Sequence, residues 1–319
     1  MMNSDFRVPI LFLVFNRPTT TKKVFNQIRK IKPAFLYIAA DGPRKEKEGE
    51  QENCDRVRKI VTNIDWPCEV KTLFRDENLG CGRAVSQAIS WFFEDVEEGI
   101  ILEDDCLPDV SFFPYCSQLL ERYRHDKRIF SISGSNLLGT AWKAQEHSYF
   151  WALPGIWGWA TWRRAWKFYD FKMTGWEEPE IQDHIREGLV TKGWYNFYYP
   201  MFEATFKGRI DTWDVQWLFT TLINSGLAAN PAVNLVRNLG FGRLGTNTGD
   251  KNNPIALLTT HSLNFPLKHP LHFLTDIEYL DKMLLSIRDK INNRSGLIDV
   301  LNNFKNLINK GIENFHNKI

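Results

Sequence analysis

The chain predicts an α/β fold, a mostly parallel sheet flanked by helices, and three observations carry that reading. Between Val8 and Ser133 short apolar runs alternate with amphipathic stretches, the pattern of strands joined by crossover helices. Ile100-Ile101-Leu102 is apolar at consecutive positions, as a central strand covered on both faces requires. With 43% hydrophobic residues among 319, the chain is long enough for one large domain or two modest ones.

Taken in order, strands are expected near 8–15, 34–40, 69–74, 99–103 and 129–133. Helices are expected over 19–31, 83–95 and 109–124. The first follows Asn-Arg-Pro, a favourable helix start, and carries Val24, Ile28 and Ile31 on one face at spacings of four and three. From Trp142 to Trp217 the alternation gives way to aromatic, glycine-containing and charged segments. Ten of the twelve tryptophans fall there, which predicts a second, aromatic-rich lobe against the carboxyl edge of the sheet. Asn, Gly and Pro from Asn224 to Pro270 read as loops. Two amphipathic helices close the chain, with stripes at Leu280, Met283, Leu284, Ile287, Ile291 and at Leu301, Phe304, Ile308, Ile312, Phe315.

Forty basic against 38 acidic side chains leave a net charge of +2, which argues against nucleic acid as a partner. The five cysteines are odd in number and contain no C-x-x-C pair, as expected of reduced thiols in a cytosol-like compartment. The run Val8–Phe15 is too short for a signal peptide or a membrane span, and no other stretch reaches the roughly 18 apolar residues of a transmembrane helix. A soluble or peripheral protein is expected.

Glu103-Asp104-Asp105 directly follows the Ile100–Leu102 run, so three carboxylates stand at the carboxyl end of a central strand, where open α/β sheets bind ligands. Adjacent anions need compensation. A hard divalent cation, Mn2+ or Mg2+, shared with a substrate diphosphate would supply it, against the plainer reading of a solvated acidic turn. Phe15-Asn16-Arg17-Pro18 and Asp41-Gly42-Pro43-Arg44 end the first two strands at the same edge. An aspartate there can accept from a base or ribose, and Arg17, Arg44 or Arg83 can meet phosphate oxygens, although Asp41 also suits an ordinary turn. Asn78-Leu79-Gly80-Cys81-Gly82-Arg83 is a glycine-containing loop before a helix, without the G-x-G-x-x-G or Walker A spacing. Pro154-Gly155-Ile156-Trp157-Gly158-Trp159 joins flat rings to small residues, as sugar faces favour, while half of the tryptophans are expected in packing.

In that order these motifs resemble the nucleotide-diphospho-sugar glycosyltransferases of the GT-A (Rossmann-like) fold, over roughly residues 7–250. The likeness is to bacterial family-2-like sugar transferases and, through Glu-Asp-Asp and Phe112-Phe113, to the N-acetylglucosaminyltransferases of N-glycan branching. The resemblance implies a domain over 1–270, with a nucleotide-binding half (1–135) and an acceptor half (136–270), followed by helices over 271–319. It implies Asp105 on the metal, Phe15, Asn16, Arg17, Asp41, Arg44, Asn78, Arg83 and Asp104 around the nucleotide, and Glu103, Gly155, Trp157, Gly158, Trp159 and Trp213 around sugar or acceptor. Asp214, in Asp211-Thr212-Trp213-Asp214, matches the base of the inverting relatives, with Glu203 and Asp211 as competitors. Relatives often carry Thr-His-Thr where this chain has Thr246-Asn247-Thr248. The implied partners are a UDP-sugar and a glycan or lipid-linked acceptor, in the cytoplasm, with peripheral contact at the inner face of the plasma membrane and a homodimer through the last helices as further expectations. A sugar-1-phosphate nucleotidyltransferase and a non-catalytic carbohydrate-binding protein are the competing readings.

Overall fold

The computed structural model describes residues 6–189, 191–241 and 257–292, with side chains as far as Ser286. Two compact units emerge: Met1–Lys167 with Leu227–Thr275, and Phe168–Gly226 with Asp276–Ile319.

The first unit is built on an eight-stranded sheet, and its opening elements follow from local chemistry. β1 (Ile10–Val14) is buried at every position. α1 (Pro18–Ile31) starts after a three-residue turn with proline at its first position, where a missing N–H costs nothing. It ends on Lys32 in the left-handed region, at φ 50°. β2 (Phe35–Ala40), α2 (Glu50–Thr62) and β3 (Glu69–Phe74) follow, then α3 (Cys81–Asp95), entered through Gly80 at φ 80°. β4 (Glu98–Glu103) runs into a short β5 (Cys106–Pro108). α4 (Phe112–Tyr123) begins later than the expected 109, because the Asp109 carboxylate accepts from the backbone N–H and hydroxyl of Ser111 and holds the chain in a turn. β6 (Ile129–Ser133), β7 (Tyr149–Ala152), β8 (Trp159–Trp162) and α5 (Arg163–Trp166) come next.

The strand order is β3-β2-β1-β4-β8-β6 and then β9 (Leu227–Pro231) and β7. The first four strands are parallel, β6 and β9 are parallel, and β7 and β8 run antiparallel to their neighbours. The α/β reading of the sequence is therefore the fold. The segment holding β7 and β8, expected in a second aromatic lobe, instead supplies strands to the main sheet. One sheet face packs Phe12, Ile38 and Leu102 with Phe25 of α1, Val57 of α2 and Leu119 of α4. The other receives α3, where Tyr37 meets Phe92 edge-on with centroids 4.9 Å apart. β10 (Val236–Asn238) pairs antiparallel with β5, which returns a distant segment to the end of β4.

The second unit contains α6 (Pro179–Gly188), α7 (Lys192–Phe206), α8 (Asp214–Ile223) and α9 (Ile277–Asn292). Its core is aromatic: Trp176, Trp194 and Trp217 are fully buried, and Trp176 packs on Phe202 with centroids 5.1 Å apart. Of the apolar stripe expected on α9, Leu280, Met283 and Leu284 are buried. The stripe from Leu301 to Phe315 and the Thr246–Thr248 segment lie outside the described residues. Among the described residues no helix is long and apolar enough to cross a membrane.

Candidate active site

The carboxyl ends of β1, β2 and β4 lie at one edge of the first unit's sheet, because all three strands are parallel and adjacent. Chain direction alone thus places Phe15–Arg17, Asp41 and Glu103–Asp105 along that edge.

The acidic run is met by an arginine rather than by solvent. Arg17 Nη1 donates to Asp105 Oδ2 at 2.6 Å and to Asp104 Oδ1 at 3.2 Å. The backbone N–H of Phe15 donates to Asp104 Oδ2 at 3.1 Å. Both aspartates are buried, so one guanidinium answers two carboxylates taken out of water. Burial pushes the Asp104 carboxyl up to about 6; Arg17 opposes the shift and the charge of Asp105 adds to it. Burial alone would lower Arg17, but the charges of Asp104, Asp105 and Glu103 more than offset it and raise the guanidinium. Arg17 thus answers both acids and is itself engaged by them. Glu103 pairs in register with Leu13 at the end of the β1–β4 ladder.

A second segment closes on Asp105 from β10. The N–H of Leu239 donates to the Asp105 carbonyl at 2.7 Å, and a Cβ on Gly240 would fall 2.1 Å from Asp105 Oδ2. Beside it the Trp157 ring meets Phe241 edge-on at 5.6 Å. Gly158, at φ 60°, accepts from the N–H of Gly134, and a Cβ there would lie 2.8 Å from Val236. Gly155 donates its N–H to the Ser133 hydroxyl at 2.8 Å. Trp159 corrects the expectation of a sugar-facing ring. It is 1% exposed and tilted against Trp166, so it offers no face to a ligand.

Asp41 and Asn78 are brought together, but by one another. Asn78 Nδ2 donates to Asp41 Oδ2 at 3.0 Å and to the Gly42 carbonyl at 2.8 Å. The N–H groups of Gly42 and Leu79 also point at the Asp41 carboxylate. Burial raises that carboxyl against the pull of these donors. Arg83, on α3, is exposed.

Arg44 is likewise engaged, by a residue the sequence reading missed. Glu50 accepts from Arg44 Nη2 at 2.5 Å, from the Arg44 backbone N–H at 2.7 Å and from Asn16 Nδ2 at 2.7 Å. Burial raises the Glu50 carboxyl, but the Arg44 and Asn16 bonds outweigh it and hold it below the usual range. Glu50 sits in a charged run that reads as solvated loop. The signal for its helix was Cys54, Val57 and Val61 at spacings of three and four.

In the second unit Asp214 opens α8, half-buried, and accepts from the Thr212 hydroxyl. Of its competitors, Glu203 takes the indole N–H of Trp176 at 2.8 Å and pairs with Lys207, while Asp211 is exposed. Trp213, expected in an acceptor pocket, is 2% exposed and packed away.

Among the described residues no group of three His, Cys, Asp or Glu side chains is placed to hold a metal ion. The acids at the end of β4 therefore fit a divalent cation only if a substrate brings most of its ligands.

No protein-family model and no curated protein matches the chain. Among solved structures, HddC from Yersinia pseudotuberculosis is similar at 8% identity and a TM-score of 0.31, over 49% of this chain and 77% of that one. A UDP-glucose pyrophosphorylase complexed with UDP-glucose is similar at 12% identity and a TM-score of 0.26, over 47% of this chain and 64% of that one.

Proposed function

We propose that the chain is a glycosyltransferase that moves a sugar from a nucleotide diphosphate, a UDP-sugar, to a hydroxyl of a glycan or lipid-linked acceptor. The observation that carries this reading is the buried Arg17–Asp104–Asp105 cluster at the carboxyl ends of adjacent parallel strands. Burying such a charge-dense cluster carries a desolvation cost, and clusters of this kind concentrate at sites that bind a ligand.

In this reading the nucleotide lies along the ends of β1 and β2, with Phe15, Asn16, Asp41, Arg44 and Asn78 lining it. Arg17 is positioned to exchange a carboxylate for a phosphate oxygen, since a guanidinium recognises both by the same fork. Asp105 would hold a Mn2+ or Mg2+ that arrives with the diphosphate and would supply neutralisation of the charge developing on the leaving group. Asp104, which accepts from the N–H of Phe15 and from Arg17, would hold the ribose or a metal-bound water. Trp157 keeps a half-buried ring beside Gly158 for the sugar. By the resemblance, Asp214 would be the residue that takes the proton from the acceptor hydroxyl, in a reaction that inverts the anomeric carbon. This last role rests on the resemblance and on the engagement of Glu203 elsewhere.

A sugar-1-phosphate nucleotidyltransferase is the second reading, and the turn between β1 and α1 bears on the choice. It holds three residues, Phe15-Asn16-Arg17, with no glycine to wrap a triphosphate.

The test is calorimetric titration of UDP and GDP with Mn2+, with EDTA, and into Asp105→Ala. UDP binding that needs both the metal and Asp105 is the expected result. No nucleotide binding under any condition overturns the reading and leaves the carbohydrate-binding alternative. Asp214→Asn is expected to lower turnover about 100- to 10,000-fold with UDP affinity unchanged. Pyrophosphate release from UTP and a sugar 1-phosphate would assign the rival activity.

A further inference from the structure

We propose that Glu50 is a positioning residue for the nucleotide end of the site, acting through Arg44 and Asn16. The proposal rests on the nucleotide-binding reading given above.

Glu50 is 5% exposed, although the acids around it in sequence, Glu46, Glu48 and Glu52, are exposed. A buried carboxylate persists only where donors replace its water. Here the donors come from two strand ends. Arg44 supplies Nη2 and its backbone N–H, and its Nε approaches Oε2 at 2.9 Å, while Asn16 reaches across from the end of β1. The Arg44 guanidinium also lies over the Phe15 ring, 5.6 Å from its centroid. Phe15, Asn16 and Arg44 therefore share one anchor on the first residue of α2.

The anchoring leaves Arg44 reachable. Its side chain stays 37% exposed while that of Glu50 is 6% exposed. A guanidinium fixed along one edge loses less freedom when its other edge meets an anion, so the bond to Glu50 prepares Arg44 for a diphosphate.

The experiment is a cycle of UDP titrations with Mn2+ into the wild type, Glu50→Gln, the Asn16→Ala/Arg44→Ala pair, and the triple variant, each with its melting temperature. Glu50→Gln keeps the shape and removes the charge, and it is expected to weaken UDP about tenfold or more, the weight of a charge-assisted bond. Glu50→Asp is expected to restore part of the loss. In the Asn16→Ala/Arg44→Ala background Glu50→Gln is expected to weaken UDP no further, because the residues through which it acts are gone. A Glu50→Gln protein that binds UDP like the wild type, or one whose loss is the same in both backgrounds, overturns the proposal. If Glu50→Gln does not fold, Glu50→Asp is carried through the same cycle: a loss of UDP affinity that disappears in the Asn16→Ala/Arg44→Ala background supports the proposal, and no loss, or an equal loss in both backgrounds, overturns it. A wild type that binds no UDP overturns the functional reading and this inference together, whereas failure of the cycle in a UDP-binding protein overturns only the inference.

Discussion

Gly240→Ala tests whether Asp105 is held where the site needs it. A Cβ at Gly240 would stand 2.1 Å from Asp105 Oδ2, 3.0 Å from its Cγ and 3.0 Å from Asn238 Oδ1. Comfortable separations between such atoms are about 3.5 Å, so the carboxylate oxygen must retreat by more than about 1 Å. That same oxygen takes the 2.6 Å bond from Arg17. Its loss is worth about 1.5–3 kcal/mol for a charged partner, and crowding in a closed site adds about 1–3 kcal/mol. Allowing for rotation of Asp105, a net destabilisation of about 2–4 kcal/mol is expected, read from urea unfolding midpoints. UDP affinity falls with it. In an Asp105→Ala background the obstructing oxygen is absent, and Gly240→Ala is expected to cost less than about 1 kcal/mol. A Gly240→Ala protein with wild-type stability and UDP binding, or equal costs in both backgrounds, refutes the reasoning.

Asp104 gives a pH prediction. Its carboxyl is raised to about 6 by burial, so between about pH 4 and pH 6 the native state holds a proton that the unfolded chain has released. The corresponding stability is present below about pH 4 and is lost as pH rises through about 6, by no more than about 3 kcal/mol; Asp104→Asn is expected to flatten that slope in unfolding measured from pH 4 to 7. Gly42→Ala would set a Cβ 2.4 Å from the Glu77 backbone and push away the loop that supplies Asn78 and Leu79 to Asp41. It is expected to lower the melting temperature and weaken UDP, and unchanged values for both would show that this loop yields freely. Trp176→Phe removes the indole donor to Glu203 and leaves a gap in a fully buried position, for about 1–3 kcal/mol by urea unfolding. A cost near zero would mean that the aromatic core of the second unit repacks.

Much of this was legible along the chain, and the reason is local. The strands at β1 to β4 and β6 lie within two residues of their expected bounds; for β1, β2 and β4 the reason is that a buried parallel strand has to be apolar along nearly its whole length and is bounded by turn chemistry. Asn-Arg-Pro set the start of α1, and Glu-Asp-Asp marked the end of β4 before any topology was known. α2 was hidden by the charged residues of its first turns, whose exposed face outnumbers the three apolar positions beneath it. β7 and β8 were read as lobe rather than sheet because tryptophan density does not say whether a ring faces a ligand or a core. Trp159 and Trp213 proved to be core.

The sequence by itself determined the α/β class, the direction of the first strands and hence the edge at which the acids, Arg17 and Asp41 gather, since parallel strands joined by helices must all end on one side. Only the tertiary structure decided who pairs with whom there. Arg17 and Asp105 are 88 residues apart, Asn16 and Glu50 34 apart, and Gly240 approaches Asp105 because β10 pairs with β5. Partners at such distances leave no periodicity in the chain. They are selected by burial, which forces every charge taken from water to find an opposite or a donor within reach.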